Sequence, residues 1–356
     1  MKTIYLHLGF HKTASTSFQE SCLKNYDLLE SHGIHYPSYI IKENNRAKPN
    51  SNHGFLMELA LSGQTNSRSS SRKLARKKIH SSKASTDLVN SLSEKLEEIT
   101  ANCLPSTIIS GEHISQWGVD QLIRLREYFD TKNCIIKPFA LVRSPFEFAA
   151  SGIQERIKGG TYSPYITINN KCVNLEDISH HKVPLKHKHI IKLNKAFEGQ
   201  LNYAPFRKAC QHRYGPVGFI LEEFIDINNS LFDQFEFITV NESRSNLWVR
   251  IQNEINKVYP KYKVRNGNVR LNPLEVKLPL LTKIERRQEK FRLSEEEYML
   301  MEKHITNSEN VIKQVLGSEY INPRKEFSLP QNILMEDIVQ YLTNVKKISH
   351  SIKESP

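Results

Sequence analysis

Apolar residues along the chain arrive in short bursts separated by stretches of helical period, and their order gives the first prediction. Residues 3–8, TIYLHL, mix β-branched, aliphatic and aromatic side chains in a run that predicts a buried strand. A loop, GFHKTAST, follows. SFQESCLKNYDLLESHG then sets Phe18, Cys22, Leu23, Tyr26 and Leu29 at helical spacing, with Gly33 placed to end that helix. Residues 87–100 repeat the pattern through Leu88, Leu92, Leu96 and Ile99, and STIIS at 106–110 reads as a short buried strand. A helix over 119–130 precedes CIIKPFALVR, the most hydrophobic strand after the first. SPFEFAASGIQERIK is helical in pattern, VGFIL at 217–221 reads as another strand, and most of 241–356 as helix. Short apolar strands alternating with helices predict an α/β class: three layers, a central parallel sheet flanked by helices, and a mostly helical C-terminal region. The pattern is that of one domain over 1–356 with two insertions, a basic Ser-rich one at 64–86 and a basic, loop-rich one at 159–195.

Charge narrows the ligand. The chain of 356 residues carries 50 Lys and Arg against 38 Asp and Glu, a formal net charge of +12, which favours an anionic ligand. Nucleic acid is disfavoured, because the basic segment 64–86 holds no aromatic on which a base would stack. Residues 1–9 are too short and polar for a signal peptide, and no run of about 18 apolar residues predicts a transmembrane segment. Five widely spaced cysteines, an odd number without a C-x-x-C pair, point to reduced thiols and a cytoplasmic location.

The chemistry concentrates where the first strand meets the first helix. Gly9-Phe10-His11-Lys12-Thr13-Ala14-Ser15-Thr16 combines a helix N-terminus, one lysine and several hydroxyls, the materials of an anion cradle. The triphosphate-binding loop G-x-x-x-x-G-K-[ST] has a glycine directly before its lysine; here His11 stands there, and the loop between Gly9 and Lys12 is shorter. Such a loop suits a single 5'-phosphate bearing one further group. A nucleotide triphosphatase also needs a magnesium-holding acid at a neighbouring strand end, whereas the strand PFALV ends in Arg143, which repels a metal and welcomes phosphate. Glu112, after STIIS, is the one acid placed to imitate that role and keeps a Mg-dependent kinase or NTPase as the rival reading. Arg143 opens the next helix with Pro145 near its first position, and Ser151 follows eight residues after the arginine. The histidines His180, His181, His187 and His189 lack the acidic or cysteine partners of a metal site and read as part of a basic loop. His53 is a weak candidate for the acceptor side, and Trp117 and Trp248 read as core.

Taken in order, these motifs resemble the 3'-phosphoadenylyl sulfate (PAPS)-dependent sulfotransferases, particularly the bacterial sulfotransferase-like proteins, whose fold is P-loop-related. The family's K-[ST]-G-T-T-x-[LIWF] loop is matched by Lys12-Thr13-Ala14-Ser15-Thr16-Ser17-Phe18, and its strand-Arg then helix-Ser element by LVR and FAAS, Arg143 and Ser151 at the family spacing. GIHYP, LNYAPFRKACQHRYG and VNES add softer similarity, to about residue 325. The resemblance implies that Gly9, Lys12, Thr13, Ala14, Ser15, Thr16 and Ser17 hold the 5'-phosphosulfate, and that Arg143 and Ser151 hold the 3'-phosphate. It implies PAPS as co-substrate, adenosine 3',5'-bisphosphate (PAP) as product, no metal, and a small-molecule, glycan or glycolipid acceptor. Lys12 would neutralise the leaving oxygen, and the base would come from the strand end Gly111-Glu112-His113: Glu112 first, with a pKa raised by burial, then His113, then His11. Ala14 replaces the family's glycine and Ser15 a threonine; Ala14 is expected in the first helical turn, where alanine is harmless. A non-catalytic anion- or polysaccharide-binding relative is the third reading these departures leave open.

Overall fold

The computed structural model describes residues 2–43, 46–62, 82–101, 105–166, 182–227, 231–240, 243–265, 268–271 and 289–328. In chain order these form β1 (Lys2–His7), α1 (Ser15–Lys24), α2 (Tyr26–Ser31), β2 (Ile34–His35), β3 (Tyr39–Glu43), β4 (Arg46–Asn50), α3 (Gly54–Ser62), α4 (Ser82–Ala101), β5 (Ser106–Ser110), α5 (Val119–Thr131), β6 (Cys134–Val142) and α6 (Pro145–Lys158). They continue with α7 (His187–Ala196), β7 (Asn202–Pro205), α8 (Phe206–Gln211), α9 (Gly215–Glu223), α10 (Asn246–Val258), β8 (Tyr262–Arg265), β9 (Asn268–Leu271), α11 (Glu295–Met299) and α12 (Glu302–Leu316). Two compact units result, one of residues 1–144, 186–241 and 312–320, the other of 145–185, 242–311 and 321–356.

The first unit is an α/β layer structure around a five-stranded sheet, in the order β2-β5-β1-β6-β7. Every pairing in it is parallel. Parallel strands covered on both faces bury successive residues rather than alternate ones, and β1 does so: Ile4, Leu6 and His7 are fully buried and Tyr5 nearly so. The core beside the sheet joins Phe18 and Cys22 of α1 to Phe139 and Leu141 of β6 and to Phe219 and Ile220 of α9.

The single helix expected over 17–33 is divided at Asn25. Its side-chain amide donates to Ser21 O at 2.8 Å and Glu236 O at 2.9 Å while its oxygen accepts from Glu236 N–H, so it competes for the backbone that a continuous helix would use. Gly33 then closes α2 at φ 74°, a conformation glycine adopts without a Cβ penalty, with its N–H on Glu30 O.

One expected strand gives way. VGFIL at 217–221 is helix, not strand: it lies inside α9, which has Pro216 in its first turn and is buried right through Val217–Leu221. Within the basic, loop-rich stretch 159–195, α7 begins at His187. Residues 167–181 of that stretch, with His180 and His181, and residues 64–81 of the Ser-rich insertion lie outside the described residues.

The second unit has its own core, where Phe146, Ala149, Ile153 and Ile157 of α6 meet Trp248 and Val249 of α10 with Phe291, Leu293 and Tyr298. Pro145 stands first in α6, as expected. A buried ion pair joins Arg250 to Glu297, whose carboxylate also accepts from Ser294 N–H at 2.9 Å and caps α11. Among its described residues the C-terminal region carries the helices α10, α11 and α12 and the β8–β9 pair, joined by loop segments. No described helix is long and apolar enough to cross a membrane.

Candidate functional site

Three neighbouring strands end along one edge of the first unit's sheet. His7, last in β1, is in register with Ser110 of β5 on one side and Phe139 of β6 on the other. The loop 8–14, the turn Gly111–His113 and Arg143 therefore leave the carboxyl ends of adjacent parallel strands, the edge at which open parallel sheets present ligand sites.

The loop is folded on itself by its own hydroxyls. Thr13 Oγ1 donates to Phe10 O at 2.7 Å and Ser15 Oγ to the same carbonyl at 3.3 Å. Gly9 must be glycine: a Cβ there would lie 2.5 Å from Ser15 Oγ and 3.1 Å from Glu112 Cα. Ala14 is not in the first turn as expected. It is the N-cap residue of α1, in the left-handed region at φ 61°, ψ 18°, where its methyl costs about 1 kcal/mol or more. Lys12 shares that sign, at φ 66°. The loop thus needs the geometry for which glycine is the cheap choice, and the physical reason is the reversal between β1 and α1.

That cap has a consequence. No side chain bonds to the first N–H groups of α1, and its first turn has no acidic residue. The helix opens instead with the amides of Ser15, Thr16 and Ser17 and the positive end of its dipole, an arrangement that stabilises an anion. Thr16 is half-buried on this turn. Ser17 faces elsewhere: its Oγ accepts from Val240 N–H at 3.1 Å.

Arg143 belongs to the same place. Its Nη1 donates to Lys12 O at 3.3 Å, and its guanidinium lies over the Phe206 ring, 5.3 Å from the centroid. The carbonyl of the loop's lysine is thereby held by the arginine of the next strand. Ser151 stands half-buried on α6, in the second unit, so the residues brought together in one unit are Lys12, Arg143, Glu112, His11 and His113.

Glu112 and the histidines form a chain. His11 Nδ1 lies 2.8 Å from Glu112 Oε1. The Gln116 side-chain nitrogen contacts His11 Nε2 and lies 3.4 Å from His113 Nδ1. The rings of His11 and His113 meet edge to face, 5.1 Å between centroids. The expected raised pKa of Glu112 is overturned. Burial does push its carboxyl up, but the hydrogen bond from His11 and the charges of His11, His113 and Lys12 outweigh it and hold the group below its ordinary value. A carboxylate held ionised is a poor proton acceptor near neutrality and a good orienter of an imidazole.

Pins on both sides fix this chain. Ser115 Oγ donates to Gly9 O at 3.0 Å, tying the short 3-10 turn Ile114–Gln116 to the loop. From α7, His189 Nδ1 donates to Ser115 O at 2.8 Å, and Lys192 Nζ donates to Gln116 O and Trp117 O at 3.1 and 2.7 Å. Below the edge, Ser110 is held from three directions: Oγ bonds His7 Nδ1 at 2.8 Å and accepts from Gln19 Nε2 at 3.0 Å, while its N–H donates to His53 Nδ1 at 3.0 Å. His53 is thus a buried strut, its Nε2 donating to Pro37 O, and not part of an acceptor wall. Gly111 follows, close enough to Gly54 that a Cβ would come within 3.0 Å of the latter's Cα.

His7, Gln19, Ser110 and Gln116 were missed in the sequence. The signal was there for two of them: His7 interrupts an apolar strand, and Gln19 falls on the buried face of a helix otherwise lined by Phe18 and Cys22. Among the described residues no group of three or more His, Cys, Asp or Glu is arranged to hold a metal. Comparison with protein-family models, with curated proteins and with solved structures finds no match for this chain.

Proposed function

We propose that the chain is a sulfotransferase that moves a sulfuryl group from PAPS to a hydroxyl or amine of a carbohydrate or small-molecule acceptor and releases PAP. The observation that carries this reading is the convergence, at one sheet edge, of an uncapped helix N-terminus, Lys12, Arg143 on the Lys12 carbonyl, and the Glu112–His11 pair. The two anion motifs of the resemblance thus touch through Lys12 and Arg143, whereas the part given to Ser151 rests on the resemblance alone.

In this reading the amides of Ser15 and Thr16 and the Lys12 ammonium bind the 5'-phosphosulfate. Glu112 accepts from His11 Nδ1–H and so leaves the His11 Nε2 lone pair as the base, the logic of a carboxylate–imidazole pair. His11 takes the acceptor's proton, the acceptor oxygen bonds to sulfur, and the bond from sulfur to the 5'-phosphate oxygen breaks. The electron pair stays on PAP, beside Lys12. The base accordingly moves from Glu112 to His11, with the carboxylate as its positioning group.

Adenosine 3',5'-bisphosphate with EDTA present, at 100 times its dissociation constant, should raise stability by about 2.7 kcal/mol. A preference for ATP with magnesium would favour the kinase reading instead, and no response to either would leave a binder of other anions. Glu112→Gln should lower PAP release from PAPS about a hundredfold with bisphosphate binding unchanged, since general-base assistance is worth about 10²–10⁴. Unchanged release would remove the Glu112–His11 pair from the mechanism.

A further inference from the structure

We propose that Gln116 is a positioning residue of the acceptor site: its amide plugs the His11 base until an acceptor hydroxyl displaces it toward His113. The inference rests on the transferase reading above and adds to it a residue that controls access to the base.

The geometry sets the proton positions. With His11 Nδ1 bonded to Glu112, the His11 Nε2 lone pair accepts from the Gln116 amide. A carboxamide nitrogen has two hydrogens, and the second is directed to His113 Nδ1 at 3.4 Å. One hydrogen therefore covers the atom that must take the acceptor's proton. No acceptor reaches that lone pair while the amide holds it.

The turn is built so that the side chain moves and the backbone does not. Ser115 Oγ holds the turn to Gly9 O, His189 holds Ser115 O, and Lys192 holds the carbonyls of Gln116 and Trp117. The Gln116 side chain itself is only half-buried. An arriving hydroxyl replaces the amide on His11 Nε2, and the amide keeps a partner in His113 Nδ1. Water is the poorer competitor, since it must displace the amide without the binding contacts of a full acceptor. The device thereby spares PAPS from hydrolysis.

The test uses the full chain with water as the only acceptor. In that reaction a water proton goes to His11 Nε2, the water oxygen bonds to sulfur, and the sulfur–phosphate oxygen bond breaks, giving sulfate and PAP. Gln116→Ala uncovers Nε2 and should speed PAP release by about fivefold, a fraction of the 10²–10⁴ available to a general base. Gln116→Glu puts an acceptor-only carboxylate on Nε2, draws a proton onto that nitrogen and should slow release below the parent rate. A purely structural residue would lower both. Nitrogen-15 spectra of the histidines give a second readout: the His11 Nε2 resonance should move in both variants while that of His53 stays. An unmoved His11 resonance, or equal release in all three proteins, overturns the plug alone. Release absent from Gln116→Ala as well overturns the plug alone, whereas a chain that PAP fails to stabilise overturns the transferase reading and the plug with it.

Discussion

On the proposed transferase reading, Lys12→Ala should lower PAP release from PAPS by about three orders of magnitude, a loss of about 4 kcal/mol in transition-state stabilisation. The expectation follows from where the lysine sits. Its backbone is at φ 66° and its carbonyl is held by Arg143, neither of which requires the ammonium. Alanine at this position bears the same left-handed conformation as lysine, so the loop keeps its shape and the unfolding midpoint should barely move. What disappears is the positive charge beside the bond that breaks. Removing one preorganised donor to a developing oxyanion costs about 10²–10³ in turnover, and a full cation belongs at or above the upper end. Bisphosphate affinity should weaken as well, by less than turnover, because the helix amides and Arg143 remain. The same charge helps to hold the Glu112 carboxyl below its ordinary value, so the Glu112 titration should move upward in the variant. Release within tenfold of the parent would sink the role given to Lys12 and leave the loop as an anion-binding turn.

The sheet edge was readable because each strand announces itself by burial on both faces. β1, β5 and β6 are the three apolar bursts at 3–8, 106–110 and 134–142, and their parallel order follows from the helices between them. The chemistry-bearing residues directly after each strand were readable for the same reason. VGFIL was misread because a short apolar run buried all round has no period to distinguish helix from strand; the proline before it was the better clue. β7 went unseen because a four-residue edge strand ending in Pro205 carries almost no pattern. Ala14 was misjudged because an alanine reads as a residue of ordinary φ, and only the return path from β1 to α1 demands the left-handed one. The pKa of Glu112 was misjudged for a different reason: burial was foreseeable from the strand end, but the compensating partners His11 and Lys12 come from a loop a hundred residues earlier in the chain. Local pattern finds where a group sits. Its electrostatics depend on what folds back against it.

The struts beneath the site make acid stability the second large effect. Burial drives the pKa of His7 down to about 3 against a smaller upward pull from Glu112. Burial likewise takes His53 down to about 4, although the bond it donates to the Pro37 carbonyl pulls the other way. In the unfolded chain both return to about 6.5. Above that pH both states are neutral and nothing is lost. Between about 6.5 and 4 the unfolded chain binds protons that the folded chain refuses, so stability falls as pH falls. At pH 5 the two histidines should each have removed about 2 kcal/mol relative to pH 7, together about 4, a large share of the 5–15 kcal/mol typical of a domain. His189, lowered to about 4 by burial and then by the charge of Lys186, acts in the same sense, but it is partly exposed and contributes less. Urea midpoints measured from pH 8 to pH 5 by circular dichroism should therefore slope steeply downward on the acid side. His7→Phe isolates one strut. The ring keeps the stacking on Phe139, 5.2 Å between centroids, and gives up the bond to Ser110 Oγ, so the variant is less stable at pH 7. Its loss between pH 7 and pH 5 should nonetheless be smaller than the parent's by about 2 kcal/mol, because one proton-refusing group is gone. An identical slope in the two proteins would mean that His7 is protonated in the fold, and the strut under Ser110 would then be an ionic one.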